Sequence, residues 1–507
     1  GTVQGPDATP TPTPAGEKAH AADGTFWSSV RYTLTLILLD FVPMFPAAPT
    51  LAMTPALVSN YADFEEFILA IIQFAAPGFL VGMLLYVAMS VALVRVASIW
   101  LRPGSHSWHG MAAWSAWITH TTMMQLRTTL FPVYASLMTP AWLRLFGARI
   151  GRYVEASTVV AMPSLLTVHD AAFLADDVAL SPFELCRGAI RIGPSSVGEK
   201  AFVGNSGIVE AGVHVPENSL VGVLGTAPLD MEPGSSWLGR PAISLPRKQD
   251  IQVDDSLTFR PPRRLVLFRG LIELCRLVPL VIGGVMTTFI ATGYLWILDR
   301  FGFWQAILAG PAMLLTAGFF SLFLTTAAKW LLTPRIKPGM HRPLWSSFVW
   351  RNELADTFIQ SLALPWMITP FYGTPLLAWW MRTLGAKIGH GVWLDSHHLP
   401  EAELCRIGDG ASVNRRAVLQ THLFHDRIMR LDTVVLEAGA TLGPRSIALP
   451  ATTIGAGTTI APSSLVMRGE NLPPGTRWKG NPVRPWVEPK KVESSESSEV
   501  SDWESKV

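Results

Sequence analysis

Residues Cys405–Met467 read CRIGDGASVNRRAVLQTHLFHDRIMRLDTVVLEAGATLGPRSIALPATTIGAGTTIAPSSLVM. Aliphatic residues recur about every six positions, at Ile407, Val413, Val435, Leu442, Ile447, Ile454 and Ile460, with Gly, Ala, Ser or Thr between them. A helix repeats every 3.6 residues and a strand every two, so this is neither. A period of six suits a solenoid of triangular coils, aliphatic side chains inward and small residues at the corners. The stretch therefore reads as a left-handed parallel β-helix. Thr421–Arg427 (THLFHDR) breaks the period and brings two histidines and an aspartate. A polar insertion in a rigid solenoid is where chemistry is expected.

Of the 507 residues, 49% are hydrophobic and 15% charged, and the mean hydropathy is positive. That is too apolar for an ordinary soluble chain. Four stretches, Thr33–Val58, Phe67–Val94, Leu277–Leu298 and Phe303–Ala328, are long enough to cross a hydrocarbon core of about 30 Å. Asp63, Glu65 and Glu66 lie between the first two, and only Asp299 and Arg300 between the last two. Arg95, Arg102, Arg260, Arg263, Arg264, Arg269, Arg276, Lys329, Arg335 and Lys337 flank the other ends. By the positive-inside rule the hairpin loops face out, and both large loops and both termini face the cytoplasm of a plasma membrane. A formal net charge of +2 and no basic-aromatic motif argue against a nucleic-acid partner. Cys186, Cys275 and Cys405 have no paired spacing, which argues against a disulfide framework or a zinc knuckle.

The chain repeats itself. LRPGSHSWHGMAAWSAW (101–117) is matched by IKPGMHRPLWSSFVW (336–350), TPAWLRLFGARIG (139–151) by TPLLAWWMRTLGAKIG (374–389), and SSWLGRPA (235–242) by TRWKGNPV (476–483). The fold class expected is a membrane α plus β tandem repeat of a transmembrane helical hairpin followed by a β-helix. Residues 1–24 form a Pro/Thr/Ala-rich linker, 25–100 the first hairpin, 101–146 an amphipathic connector and 147–250 the first β-helix. Residues 260–330 form the second hairpin, 336–384 its connector, 385–487 the second β-helix and 488–507 a disordered tail.

The copies differ in chemistry. The insertion of copy two holds His422, His425 and Asp426, whereas copy one reads VALSPFELCRGAIRIG (178–193), with Phe183 and Glu184 roughly in place of the histidines. Acylating an amine or hydroxyl requires removal of a proton as it attacks, and imidazole accepts one near neutral pH. His422 or His425 is thus the candidate base, with Asp426 or Asp395 to orient it. Asn414, Gln420 and Arg427 flank the loop as candidate substrate-binding residues, and Trp478, Lys479 and Asn481 form a second candidate patch near the solenoid's end. The bland reading of that patch is a solenoid cap. No Gly-x-Ser-x-Gly elbow is present, which favours direct transfer over a covalent enzyme intermediate. A metal site would need His397, His398, His422 and His425 to converge from one copy, so no metal is assigned.

At these residues the chain resembles the hexapeptide-repeat acyltransferases. The ending WKGNPV is similar to the element that, in that superfamily, lies along the donor's pantetheine, and the family's general base is a histidine on a projecting loop. The repeated layout, THLFHDR, AFVGNSG (201–207) and SSWLGRP (235–241) resemble, over nearly the whole chain, the C-terminal membrane region of nonribosomal peptide synthetases of the ε-poly-L-lysine synthetase type. The resemblance implies a membrane-embedded acyl or peptidyl transferase joining aminoacyl thioesters to an amine. It implies no bound cofactor, a phosphopantetheine donor on a carrier domain (or, alternatively, coenzyme A), and adenylation and carrier domains as partners. Those enzymes have three tandem soluble domains between six spans, against two and four read here. No adenylation or carrier sequence is read in this chain, so it is expected to be part of a longer protein or to work with partners. The alternatives are a coenzyme A-dependent acetyltransferase and a non-catalytic membrane scaffold.

Overall fold

A computed structural model of the chain describes residues 26–44, 48, 49, 52, 64–180, 183–186, 188–246 and 254–486. The linker, the tail and much of the first expected span lie outside the described residues. The six-residue period becomes three parallel ladders of very short strands. In copy two one ladder runs Lys387–Ile388, Cys405–Ile407, Val434–Leu436, Thr452–Ile454, Asn471–Leu472. A second runs Trp393–Leu394, Ser412–Val413, Thr441–Leu442, Thr459–Ile460, Arg477–Lys479, and a third Val418–Leu419, Ile447–Ala448, Leu465–Val466. Val434 pairs with Thr452, Thr441 with Thr459 and Ile447 with Leu465, so one coil takes 18 residues. Val413, Leu442 and Ile454 point inward and are fully buried. Corners are tight: a Cβ on Gly443 would lie 2.5 Å from the Ile460 carbonyl oxygen of the next coil.

Copy one repeats this plan from Arg149–Ile150 to Ser236–Leu238. Each copy has one coil that is longer: Cys405 pairs with Val434, and Leu166 with Ser195, 29 positions apart. The added chain is a β-hairpin, His422–His425 with Ile428–Leu431 in copy two and Glu184–Cys186 with Ala189–Ile192 in copy one. The period break read as Thr421–Arg427 is thus one strand and turn of a longer insertion. A third strand joins each hairpin from the segment after a long helix, Met340–Pro343 in copy two and Gly104–Ser107 in copy one.

The helices are α1 (Phe26–Phe41), α2 (Phe64–Ala97), α3 (Met111–Thr129), α4 (Met138–Phe146), α5 (Arg263–Leu274), α6 (Leu277–Phe301), α7 (Phe303–Leu332), α8 (Ser347–Phe358) and α9 (Pro375–Thr383). Helix α8 runs on into π-helix over Ile359–Ile368. Among the described residues two helical segments, Pro77–Trp100 and Phe303–Leu332, are long and apolar enough to cross a membrane. These two segments carry the second and fourth of the four expected spans. The first, Thr33–Val58, contributes only the 16-residue α1 before passing out of the described residues. Helix α6, 25 residues long, packs against both α2 and α7.

Helices α4 and α9 start the two solenoids alike. Arg144 donates to the carbonyls of Ile150 and Gly151, and Arg382 to those of Ile388 and Gly389. The copies pack on each other. Phe173 of copy one meets Phe424 of the copy-two hairpin, ring centroids 5.3 Å apart. Val223 and Leu238 join Ile447, Leu449 and Leu465 in one apolar cluster. Arg269, fully buried, is paired with Glu155 and Glu273 and sits over Trp345. Arg276 bonds Glu353 and the carbonyls of Tyr134 and Ala135.

Candidate functional site

The hairpin strand His422–His425 alternates its side chains, and His422 pairs across to Leu431. Its imidazole points at Glu401, a residue the sequence reading passed over. His422 Nδ1 lies 2.9 Å from Glu401 Oε1 and 3.0 Å from Oε2. Glu401 precedes the short helical turn Ala402–Leu404, so it sits at the start of the coil that carries the hairpin. Its carboxylate is fully buried and also accepts from Thr421 Oγ1 and, at 2.7 Å, from Asn352 Nδ2 on α8. Gln420 Nε2 donates to the His422 carbonyl at 3.0 Å and braces that backbone. The His422 side chain keeps 15% exposure, and Nε2 has no hydrogen-bond partner among the described residues.

Burial lowers the His422 pKa, but the charge and hydrogen bond of Glu401 outweigh it, with Asp176 and Asp356 adding to them, and the net shift is upward. Burial would raise Glu401, yet the attraction of His422 and the hydrogen bonds from His422, Thr421 and Asn352 pull it below the usual carboxylate value. Both shifts describe a buried carboxylate holding imidazolium. One nitrogen is fixed by the acid and the other is left for a reactant, the arrangement a general base requires.

The other expected residues are placed differently. His425 stands at the hairpin turn with Asp426 Oδ2 3.5 Å from its Nδ1, both about a quarter exposed. Asp426 therefore accompanies His425 and not His422. Asp395 lies near Tyr372, whose hydroxyl burial, then Asp395, push up to about 12. No bond joins Asp395 to His422 among the described residues, so Glu401 takes the orienting place expected of Asp426 or Asp395. Asn414 donates to the Leu442 carbonyl at 2.9 Å, a tie between coils. Arg427 is buried and donates to the carbonyls of Thr258, Tyr153, Ala171 and Ala172, so it fastens the hairpin to copy one. Trp478 packs on the core of copy two, and Lys479 lies over Trp486. Asn481 Nδ2 donates to the Leu224 carbonyl of copy one at 2.9 Å.

The rings of His397 and His398 lie tilted against each other, centroids 4.1 Å apart, and His397 Nδ1 lies 2.6 Å from the Tyr372 hydroxyl. Burial lowers both pKa values. Among the described residues no three His, Cys, Asp or Glu side chains are grouped to hold a metal ion.

Copy one has equivalent positions with other residues. Met162 precedes the turn Pro163–Leu165 with backbone angles close to those of Glu401, ahead of the matching strand. Ala116 stands on α3 where Asn352 stands on α8, and Phe183 precedes the copy-one hairpin strand as His422 opens that of copy two. Met162, Ala116 and Phe183 belong to one apolar cluster with Ile190 and Ile192. Aligning the copies at Glu401 and Met162, and not only at the histidines, would have revealed the acid.

No family model matches the chain. It is 31% identical over 467 residues to the Delta-poly-L-ornithine synthetase of Acinetobacter baumannii (strain AB307-0294), covering 90% of this chain and 34% of that protein. The chain thus spans about a third of the length of that curated relative. Among solved structures, a maltose O-acetyltransferase from Clostridium difficile 630 matches 30% of this chain and 97% of its own at 13% identity, TM-score 0.21. A hexapeptide-repeat acetyltransferase from Vibrio cholerae matches 22% of this chain and 77% of its own at 20% identity, TM-score 0.19.

Proposed function

We propose that the chain is an aminoacyl-transferring region that joins an activated acyl thioester to an amine, with His422 as general base and Glu401 as its positioning carboxylate. The observation that carries this reading is the buried Glu401–His422 pair, present in copy two and replaced by Met162 and Phe183 in copy one. The likeness to a poly-L-ornithine synthetase supports amino acids as the groups joined. In the step itself the amine nitrogen attacks the thioester carbonyl carbon while His422 Nε2 takes its proton. The carbon–sulfur bond then breaks, the thiolate leaves, and the proton on His422 is returned to it. Glu401 steadies the imidazolium formed between these events. The donor is a phosphopantetheine thioester on a carrier domain loaded by an adenylation domain. The apolar helices α2 and α7 embed the protein in the plasma membrane, with both β-helices on the cytoplasmic side.

The test is reconstitution of the chain in nanodiscs with a carrier domain bearing a labelled aminoacyl thioester and free amino acid, read by mass spectrometry. Wild type and His425→Ala form amide-linked oligomers and His422→Ala does not. Equal product from His422→Ala would move the chemistry elsewhere. Turnover of acetyl-coenzyme A with none of the carrier-bound donor would make the protein an acetyltransferase. Product from neither donor would leave a scaffold.

A further inference from the structure

The patch at the solenoid's end, expected to meet the donor, makes contacts within the protein. Lys479 lies over Trp486, and Asn481 donates to the Leu224 carbonyl of copy one. A second cationic feature lies on another face of copy two.

In the first ladder Lys387, Arg406, Val435, Thr453 and Asn471 are register partners, so they form one row across the strands. Ile407, Leu436, Ile454 and Leu472, next along their strands, are buried, so by the alternation of a strand the row faces out. Neighbouring strands lie about 4.8 Å apart, which sets Lys387 and Arg406 side by side. Both are exposed, and both line a cavity of about 500 Å³ together with Val435, Gly389, Gly408 and Ala438. A Cβ on Gly408 would lie 2.6 Å from the Ala438 nitrogen, so that wall is backbone.

The acids around this pair are engaged elsewhere. Glu403 Oε1 accepts from Lys329 Nζ at 2.5 Å, Asp409 Oδ1 from the His390 amide at 2.7 Å, and Glu437 Oε2 from the Ala456 amide at 2.9 Å. Neither Lys387 nor Arg406 forms a salt bridge among the described residues. Two cations on one cavity suit a phosphate ester, and a guanidinium meets phosphate oxygens with two parallel N–H groups.

The second cation goes with the copy that holds the Glu401–His422 pair. In copy one the matching row is Arg149, Thr167, Ser196 and His214, with Thr167 in the place of Arg406. Ser196 Oγ and His214 Nδ1 lie 2.7 Å apart there. Arg406 also stands near the pair along the chain. Glu401 is followed by the turn Ala402–Leu404 and then by the strand Cys405–Ile407. Chain of that length spans at most about 18 Å from Glu401 to Arg406. The hairpin returns to the same ladder, since Leu431, opposite His422, leads into Val434–Leu436.

We propose that Lys387 and Arg406 hold the phosphate of the donor's phosphopantetheine arm, which lies on the outer row with its thioester toward the hairpin and His422. The assignment rests on the transferase reading above, but binding is measured without any acceptor. Titration calorimetry on the full chain in phosphatidylcholine nanodiscs compares phosphopantetheine with pantetheine, which lacks the phosphate. The phosphorylated ligand binds at least about tenfold more tightly, the worth of one hydrogen bond between charged groups. Arg406→Gln and Lys387→Gln each bring the two affinities together, and Arg406→Lys keeps part of the difference. Arg468→Gln, which removes an exposed cation beyond the third ladder, leaves the difference unchanged. Lys387 and Arg406 are exposed, so their variants keep the fold, as a thermal scan verifies. Equal affinities for the two ligands, or Arg406→Gln binding as wild type, overturn the site. Loss of phosphopantetheine binding when phosphatidylglycerol is added to the nanodiscs gives the cations to a lipid headgroup and overturns the donor assignment. Phosphate-dependent binding with no transfer from any donor sinks the transferase reading alone and keeps the site.

Discussion

Glu401→Gln removes a charge and leaves the shape. Glu401 Oε1 accepts from both Asn352 and His422, so the glutamine oxygen keeps both bonds in that place. The amide nitrogen then faces Thr421, whose hydroxyl turns from donating to accepting. What is lost is the attraction between a buried carboxylate and the imidazolium that forms in the transition state. At an effective dielectric near 20 two unit charges about 4 Å apart attract by about 4 kcal/mol. At about 1.4 kcal/mol per decade that predicts a fall in kcat of roughly a thousandfold. KM changes little, because Nε2 still meets the reactant. The pH profile carries the sharper test. Burial lowers the His422 pKa and only Glu401 and its acidic neighbours reverse it, so the variant's acid limb moves to lower pH. The assay is the rate of amide formation from a loaded carrier domain between pH 5 and 9, beside a thermal scan showing the variant folded. A folded variant within about threefold of wild type, or with an unmoved acid limb, would refute the pair as the catalytic centre.

The same pair predicts a pH window for stability. His422 is raised above its usual 6.5, so its contribution is full below that value and is lost as pH rises through the folded pKa. Glu401 is lowered below 4.5, so its contribution is present above that value and is lost as pH falls through the folded pKa. The Tm difference between wild type and His422→Gln is therefore largest between about 4.5 and 6.5 and shrinks on either side. In the solenoid, Ile460→Ala empties a site that is 1% exposed, and denaturant unfolding should show a loss of about 2–5 kcal/mol. A loss below 1 kcal/mol would mean that the coils close over the gap.

The solenoid was legible because its period is a physical requirement. Each coil must turn three corners and bury three aliphatic side chains, so Ile407, Val413, Leu442 and their successors had to recur; Val435, also read as inward, is half-buried, and Leu436 beside it takes the inward place opposite Ile407. The duplication was legible for the same reason, since cap and corner residues repeat with the coils. The hairpin was legible only as a break, because its pairing with Met340–Pro343 joins segments far apart in sequence. Glu401 was invisible because an isolated acid before a short turn has no period; it gains meaning only when Asn352, Thr421 and His422 close on it. The end patch misled in the other direction. Asn481 bonds the neighbouring copy, and a contact between copies leaves no mark in the spacing of either. The spans were legible as apolar length, and Pro77–Trp100 and Phe303–Leu332 are helices long and apolar enough to cross a membrane.

The three exchanges between the copies belong together. A carboxylate at Met162 alone would be buried among Ala116, Ile190, Ile192 and Phe183 without a donor. An unpaired buried charge is worth several kcal/mol against the fold, unless the group stays protonated. Likewise Glu401 without Asn352 or His422 would be left with Thr421 as its remaining side-chain donor. Each intermediate is worse than either end, so a copy carries the acid, amide and imidazole as a set or fills the space with apolar groups. Met162→Glu is therefore expected to lower stability by about 3 kcal/mol, and the loss to shrink when Ala116→Asn and Phe183→His are added. Denaturant unfolding of the single and triple variants decides it. A triple variant no more stable than the single one would show that the space in copy one has closed beyond what three side chains can restore.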